Sequence, residues 1–238
     1  MSGCSGTCTA DPGYSCLNNN CITICGDGLV AGVEVCDDGM QGGCLIDCSN
    51  SWTGFNCTGG STTSPSVCNT ICGDGLVLWS ENCDDKKNGG CTADCSNEIT
   101  GFYCFGGNWV NASTCIPICG DGLVVKNEVC DDKGLGGCLK DCSGTTIGYY
   151  CTSGSPTSPS VCNVICGDGL VIKPETCDDF GEGGCLKDCS KANIGYNCTS
   201  NSPSVCVVVC GDGIVVAPFE TCDDANKGGC NSWCDGFN

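Results

Sequence analysis

Of the 28 acidic side chains, 24 stand at fixed offsets from cysteine. In CGDGLVAGVEVCDDGMQGGCLIDC, residues 25–48, they are Asp27, Glu34, Asp37, Asp38 and Asp47. The same offsets give Asp74, Glu81, Asp84, Asp85 and Asp94, then Asp121, Glu128, Asp131, Asp132 and Asp141, then Asp168, Glu175, Asp178, Asp179 and Asp188. A fifth set holds Asp212, Glu220, Asp223 and Asp224, with Trp233 where the last acid would fall. Carboxylates locked to such a frame can do two kinds of chemistry. Four or five can converge on one hard cation, since calcium takes about six to eight oxygens and a Gly-rich turn lets carbonyls join. Alternatively each aspartate accepts backbone N–H groups and caps a turn, with the glycines of GDG supplying positive φ. Both readings stand. One calcium per set would put ten positive charges against a net charge of −19, relieving self-repulsion. The D-x-D-x-D-G ladder of an EF-hand is absent. Paired carboxylates also serve glycosidases, but five copies without a sizeable cleft-forming core speak against an enzyme, and no catalytic residue is assigned.

The frame that positions these acids is a repeat. CGDG begins at Cys25, Cys72, Cys119, Cys166 and Cys210, at steps of 47, 47, 47 and 44 residues. A period of that size means an array of small units. The boundaries read as a partial unit over 1–24, repeats over 25–71, 72–118, 119–165 and 166–209, and a partial unit over 210–238. Units this short, with aromatics at 6% of the chain, cannot bury enough apolar surface to hold themselves. The 32 cysteines of 238 residues must do so as disulfides, which places the protein outside the cell or on its surface. No secretory leader is visible, so the expectation is a processed chain or a piece of a longer one. No apolar stretch reaches the roughly 20 residues of a membrane span. The acidic balance, with nine lysines and no arginine, excludes nucleic acid and anionic membrane surfaces as partners.

Each full unit has six cysteine positions; in the first they are Cys25, Cys36, Cys44, Cys48, Cys57 and Cys68. The opening set, Cys4, Cys8, Cys16 and Cys21, aligns with positions three to six, and the closing set, Cys210 to Cys234, with one to four. If both ends are complete and every unit pairs alike, the pairs are one–two, three–four and five–six. If the chain is cut from a longer array, or pairs across a subunit junction, that constraint vanishes and Cys4 or Cys234 has lost its partner. The five–six pair is favoured in either case, because it encloses one polar loop: Cys57–Cys68, Cys104–Cys115, Cys151–Cys162 and Cys198–Cys206. A thiolate metal store is disfavoured, since the close pairs are C-x3-C and histidine is absent.

The expected fold is a set of small disulfide-rich repeats, mostly loop with short β-strands or hairpins, little or no helix, in an elongated tandem array. The apolar runs after CGDG, such as Leu29-Val30 and Leu170-Val171-Ile172, read as short strands. Gly-Gly before position three marks a tight turn. An aromatic two residues before position five (Tyr14, Phe55, Phe102, Tyr149, Tyr196) reads as a packing ring beside a disulfide. The spacers between positions five and six are rich in Ser, Thr and Pro, the composition of O-glycosylated stalks, with Thr62, Thr63, Ser64, Thr157 and Ser158 as acceptors. N-x-[ST] sequons stand at Asn56, Asn111 and Asn197; the first and last have cysteine in the middle, which leaves Asn111 the best acceptor.

The string CGDG, Glu-x-Cys-Asp-Asp, Gly-Gly-Cys-x3-Cys and Gly-aromatic-x-Cys resembles the Myxococcus cysteine-rich repeat family. That resemblance covers nearly the whole chain and implies a secreted disulfide-repeat domain of unknown function, as found in bacterial and protist surface proteins. The family usually reads Gly-Asp-Gly-Cys before position three; here it is Gly-Gly-Cys. The aromatic ending is similar, more weakly, to the close of an EGF-like module. The functional expectation is a structural subunit of a surface coat, stalk or filament, associating head to tail and carrying glycans. It needs no cofactor, with calcium the one ion that the acids suit. The alternative is a ligand- or glycan-binding ectodomain, for which the divergent spacer FGGNWVNAST, with Trp109, is the pointer.

Overall fold

The structure, a computed structural model, describes residues 3–6, 9–18 and 20–237. There is no helix among them. Ten strands form five antiparallel two-stranded sheets: β1 (Tyr14–Leu17) with β2 (Asn20–Thr23), β3 (Phe55–Ser61) with β4 (Ser64–Thr70), β5 (Phe102–Phe105) with β6 (Thr114–Pro117), β7 (Tyr149–Thr152) with β8 (Val161–Val164), and β9 (Tyr196–Cys198) with β10 (Cys206–Val208). Cysteine five faces cysteine six across the ladder, as in Cys57↔Cys68 and Cys151↔Cys162. These pairs are bridged, with Cα atoms 4.0 Å apart. Hairpins this short are marginal alone, so the bridge does what strand length cannot.

The other two bridges are nested. Position one joins four (Cys25–Cys48) and two joins three (Cys36–Cys44), and all five copies agree. One–two and three–four, the pattern expected of a chain with complete ends, does not occur. Fifteen disulfides lie among the described residues, and Cys4 is a free thiol. Its Sγ sits 3.0 Å from that of Cys21. Cys8, aligned with position four, lies outside the described residues. Each nested pair makes a knot: the 23-residue span of Cys25–Cys48 encloses the 8-residue span of Cys36–Cys44. In the chain-entropy model such loops contribute roughly 3 kcal/mol per bridge.

The chain divides into two compact units, Met1–Ile116 and Pro117–Asn238. In the first, hairpin β3–β4 grips the knot before it and the knot after it. Backward, Ser66 N–H donates to Asp37 O at 2.7 Å and Val30 N–H to Ser61 O at 3.0 Å. Forward, a Cβ on Gly54 would stand 2.4 Å from Leu78 Cδ1, so only glycine fits against the next knot, and Phe55 packs edge-on against Trp79 at 4.6 Å. In the second unit β7–β8 repeats both grips, through Ser160 N–H to Asp131 O (2.6 Å) and through Gly148, where a Cβ would stand 2.2 Å from Ile172 Cδ1. Each knot and hairpin meet sulfur to sulfur: Cys44 Sγ lies 3.7 Å from Cys68 Sγ, and Cys138 Sγ 3.7 Å from Cys162 Sγ. The core is accordingly cysteine. Among the described residues, every buried apolar side chain besides Ala31, Phe55, Phe102 and Val125 is one.

The apolar runs after CGDG are not strands. Their N–H groups are taken by side chains: Leu29 N–H by Asp27 Oδ1 and Ala31 N–H by Glu34 Oε2. Only Val30 bonds the hairpin, so no ladder forms. The Gly-Gly turn has a second purpose. A Cβ on Gly90 would stand 2.2 Å from Cys115 Cβ, so only glycine lets the knot touch the hairpin disulfide. Gly229, in the fifth knot, has Asp224 Oδ2 at 3.1 Å as its nearest such neighbour. Gly90→Ala is therefore expected to cost about 1–3 kcal/mol by overpacking, and Gly229→Ala clearly less. Denaturant unfolding of the oxidised proteins measures the difference.

Candidate functional site

Every knot carries the same carboxylate arrangement. The first Asp of the Asp-Asp pair holds the CGDG loop. Asp37 is fully buried and accepts Gly26 N–H at 2.6 Å on Oδ2, and Gly28 N–H at 3.0 Å and Gly39 N–H at 2.8 Å on Oδ1. Asp84 does so with Gly73, Asp74 and Lys86; Asp131 with Gly120 and Lys133; Asp178 with Gly167, Asp168 and Phe180. The second Asp holds the Gly-Gly turn. Asp38 takes Gly43 N–H at 2.6 Å and Gln41 N–H at 3.1 Å, while Asp85, Asp132 and Asp179 each take the glycine before position three at 2.6 Å. Asp223 and Asp224 repeat both caps in the fifth knot, which no hairpin in the described chain follows. There Ala225 N–H and Gly229 N–H, foremost among several backbone donors, hold the two carboxyls below the usual range.

The remaining acids are divided by exposure. Asp27, Asp74, Asp121, Asp168 and Asp212 each close an Asx-turn through Oδ1 onto the N–H two residues on, at 2.8–2.9 Å. Asp47, Asp94, Asp141 and Asp188 are exposed and accept both N–H and O–H of the serine two residues on. Those hydrogen bonds favour the charged form and lower all four carboxyls; Thr92 adds a second hydroxyl at Asp94 and takes it to about 2. Glu34, Glu81, Glu128, Glu175 and Glu220 differ from the rest. Oε2 accepts one backbone N–H at 2.9–3.0 Å, and Oε1 is buried without a protein donor. Desolvation, assisted by neighbouring aspartates, raises Glu81, Glu128 and Glu175.

One functional position escaped the sequence. Ser66, Ser113, Ser160 and Ser204 stand two residues before position six, are buried, and accept the N–H of Asp37, Asp84, Asp131 and Asp178 at 3.0–3.2 Å. A serine at a constant offset inside otherwise variable spacers was the available signal. The expected acceptors Thr62, Thr63, Ser64 and Thr157 are exposed and Ser158 is half-buried; Asn56, Asn111 and Asn197 are all exposed. Trp109 is 73% exposed. A depression of about 250 Å³ beside the first knot is lined by Cys25, Gly26, Asp37, Met40, Leu45 and Trp52. Cys130, Cys138, Cys151 and Cys162 lie close enough together to ligate a metal but are paired as disulfides and offer no thiolate; in the group Cys4, Cys16 and Cys21 only Cys4 is a thiol.

Two outcomes follow from the caps. Asp84→Asn, which removes the charge that accepts three backbone N–H groups, is expected to cost about 2–3 kcal/mol, read by denaturant unfolding. For Asp94 the folded value lies below the ordinary one, so its hydrogen bonds stabilise fully above about pH 4 and are lost as pH falls through about 2. Thr92→Ala should bring its titration, followed by NMR, up toward those of Asp47 and Asp141.

The family model described as "Domain of unknown function (DUF4215)" matches residues 7–51, 100–143 and 188–235, more than half of the chain. Each matched segment runs from a hairpin through the knot that follows it. No curated protein and no solved structure matches. With three copies of that cysteine-rich domain in tandem, the chain belongs to the DUF4215 family.

Proposed function

We propose that this chain is a non-catalytic structural protein of the cell exterior, an elongated subunit of a surface coat, stalk or filament that carries glycans. The observation behind this reading is the double grip of hairpins β3–β4 and β7–β8, each of which ties one knot to the next within its compact unit. Units bonded to their neighbours through a fixed motif make quasi-linear objects whose stability is a sum of local terms. Thirty paired cysteines among the described residues are the usage of extracellular proteins. The covalent frame also leaves the polar spacers free to vary, and they bear the exposed sequon at Asn111. The same hairpin-to-knot contact made between copies would associate such subunits head to tail through a heterologous interface.

A ligand- or glycan-binding ectodomain is the second reading, on the strength of the exposed Trp109 ring. Small-angle scattering of the oxidised chain separates rod from globule. A compact chain of 238 residues has a radius of gyration of about 18 Å. The rod reading expects a value well above that, and a measurement near it overturns the reading. On material from the native source, the mass of the peptide containing Asn111 should exceed its sequence mass by one glycan.

A further inference from the structure

Five buried oxygens repeat with the motif. Oε1 of Glu34, Glu81, Glu128, Glu175 and Glu220 is shielded from solvent and accepts no hydrogen bond, although the Thr70 hydroxyl acts on the Glu81 carboxyl; Glu128 and Glu175 have no such hydroxyl beside them. Glu81, Glu175 and Glu220 are only 3–6% exposed as whole residues. A buried carboxylate oxygen without a donor carries a desolvation penalty that nothing repays. One such atom in a chain could be a local accident of packing. The same atom in five knots is a property of the motif.

The surroundings deepen the problem. The charged groups acting on Glu81 are Asp84 and Asp74; on Glu128 they are Asp131 and Asp121; on Glu175 they are Asp178 and Asp168. All are negative, and no lysine stands among them. The first of each pair has both oxygens committed to backbone N–H groups, as at Asp84 with Gly73 and Lys86. The Asp of GDG spends only Oδ1, on the N–H of its own Asx-turn. Around each of these buried oxygens the glutamate and the Asp of GDG are thus the carboxylates with an uncommitted oxygen, two negative charges between them. A proton on Oε1 would cancel one charge and create a donor that needs an acceptor. One divalent cation cancels both.

We propose that each knot binds one calcium ion, with the Glu two residues before position two and the Asp of GDG as its carboxylate ligands. The donors are hard oxygens, the sulfurs nearby are oxidised and the chain has no histidine, a donor set that favours the alkaline-earth ions over zinc. Magnesium keeps several waters and demands near-ideal octahedral geometry; a buried oxygen in an irregular loop suits the larger, more flexible shell of calcium. The second Asp of the pair and the exposed Asp of the Ser turn are not ligands. The site is independent of the structural role proposed above.

The test is calorimetric titration of calcium chloride into the full oxidised chain after EDTA treatment and dialysis. Five equivalents are expected, one for each orphaned glutamate oxygen. Glu81→Gln, which keeps the acceptor for Leu78 N–H, should bind four, and Glu81→Gln with Glu175→Gln three. Asp47→Asn, in an exposed turn, should still bind five. The Tm of the unmutated chain should rise with calcium and fall back with EDTA. No binding at millimolar calcium, or an unchanged count in Glu81→Gln, overturns the proposal. If a variant fails to form its bridges, carbon-13 NMR of glutamate carboxyls in the unmutated chain decides. Five resonances moving with calcium support the site; carboxyls that are protonated at pH 7 and indifferent to calcium refute it.

Discussion

A backbone N–H buried in a loop must find an acceptor, and in this protein almost none can come from helices or long ladders. Five short hairpins satisfy little beyond themselves. The knots between them are tight turns whose N–H groups point inward, where water is excluded. The Asp-Asp pair answers that constraint. Its first carboxylate collects the N–H groups of the CGDG loop and its second those of the Gly-Gly turn. Charge-assisted bonds of this kind are about twice as strong as neutral ones. The acids are thus interior structural elements of the knot, although the chain as a whole is strongly acidic.

The disulfides and the carboxylates depend on each other. Nesting two–three inside one–four brings the CGDG loop over the Asp-Asp segment, which is what lets Asp37 reach Gly26 eleven residues back. The caps in turn fix the turns whose glycines admit the hairpin disulfide. At that contact the sulfurs of two bridges lie side by side, taking the place of a hydrophobic core. Small domains that cannot bury enough apolar area are stapled in this way as a rule. Here the staples are also the packing material.

The hairpin is the part that makes an array out of units. In β3–β4 the buried Ser66 reaches the knot before it, and Phe55 and Gly54 reach the knot after it, against Trp79 and Leu78. Because it is shared, any cut of the chain into repeats is a convention. A frame that starts at CGDG keeps the serine contact within one unit. The frame of the family, hairpin first, keeps the aromatic contact instead. The spacers loop out from the hairpin tips, where length changes cost little, and the shortest one still delivers Ser204 to Asp178.

Period, disulfide dependence, the absence of helix, the Gly-Gly turn and the fixed acids were all legible in the residues, because each is a local property of spacing and residue type. The five–six pairing was legible for the same reason: it closes a single loop. The nesting of one–four around two–three was not, since spacing alone allows several connectivities and only the path of the chain in space selects one. Leu29-Val30 carried the side chains of a strand, yet whether its N–H groups met a ladder or a carboxylate depended on what lay opposite. Ser66 read as one more polar spacer residue until the hairpin folded back and laid its hydroxyl on Asp37, 29 positions away in the chain. Sequence determines which groups are available and how far apart they are along the backbone; only the fold decides which donor meets which acceptor, because hydrogen bonds are satisfied by proximity in space.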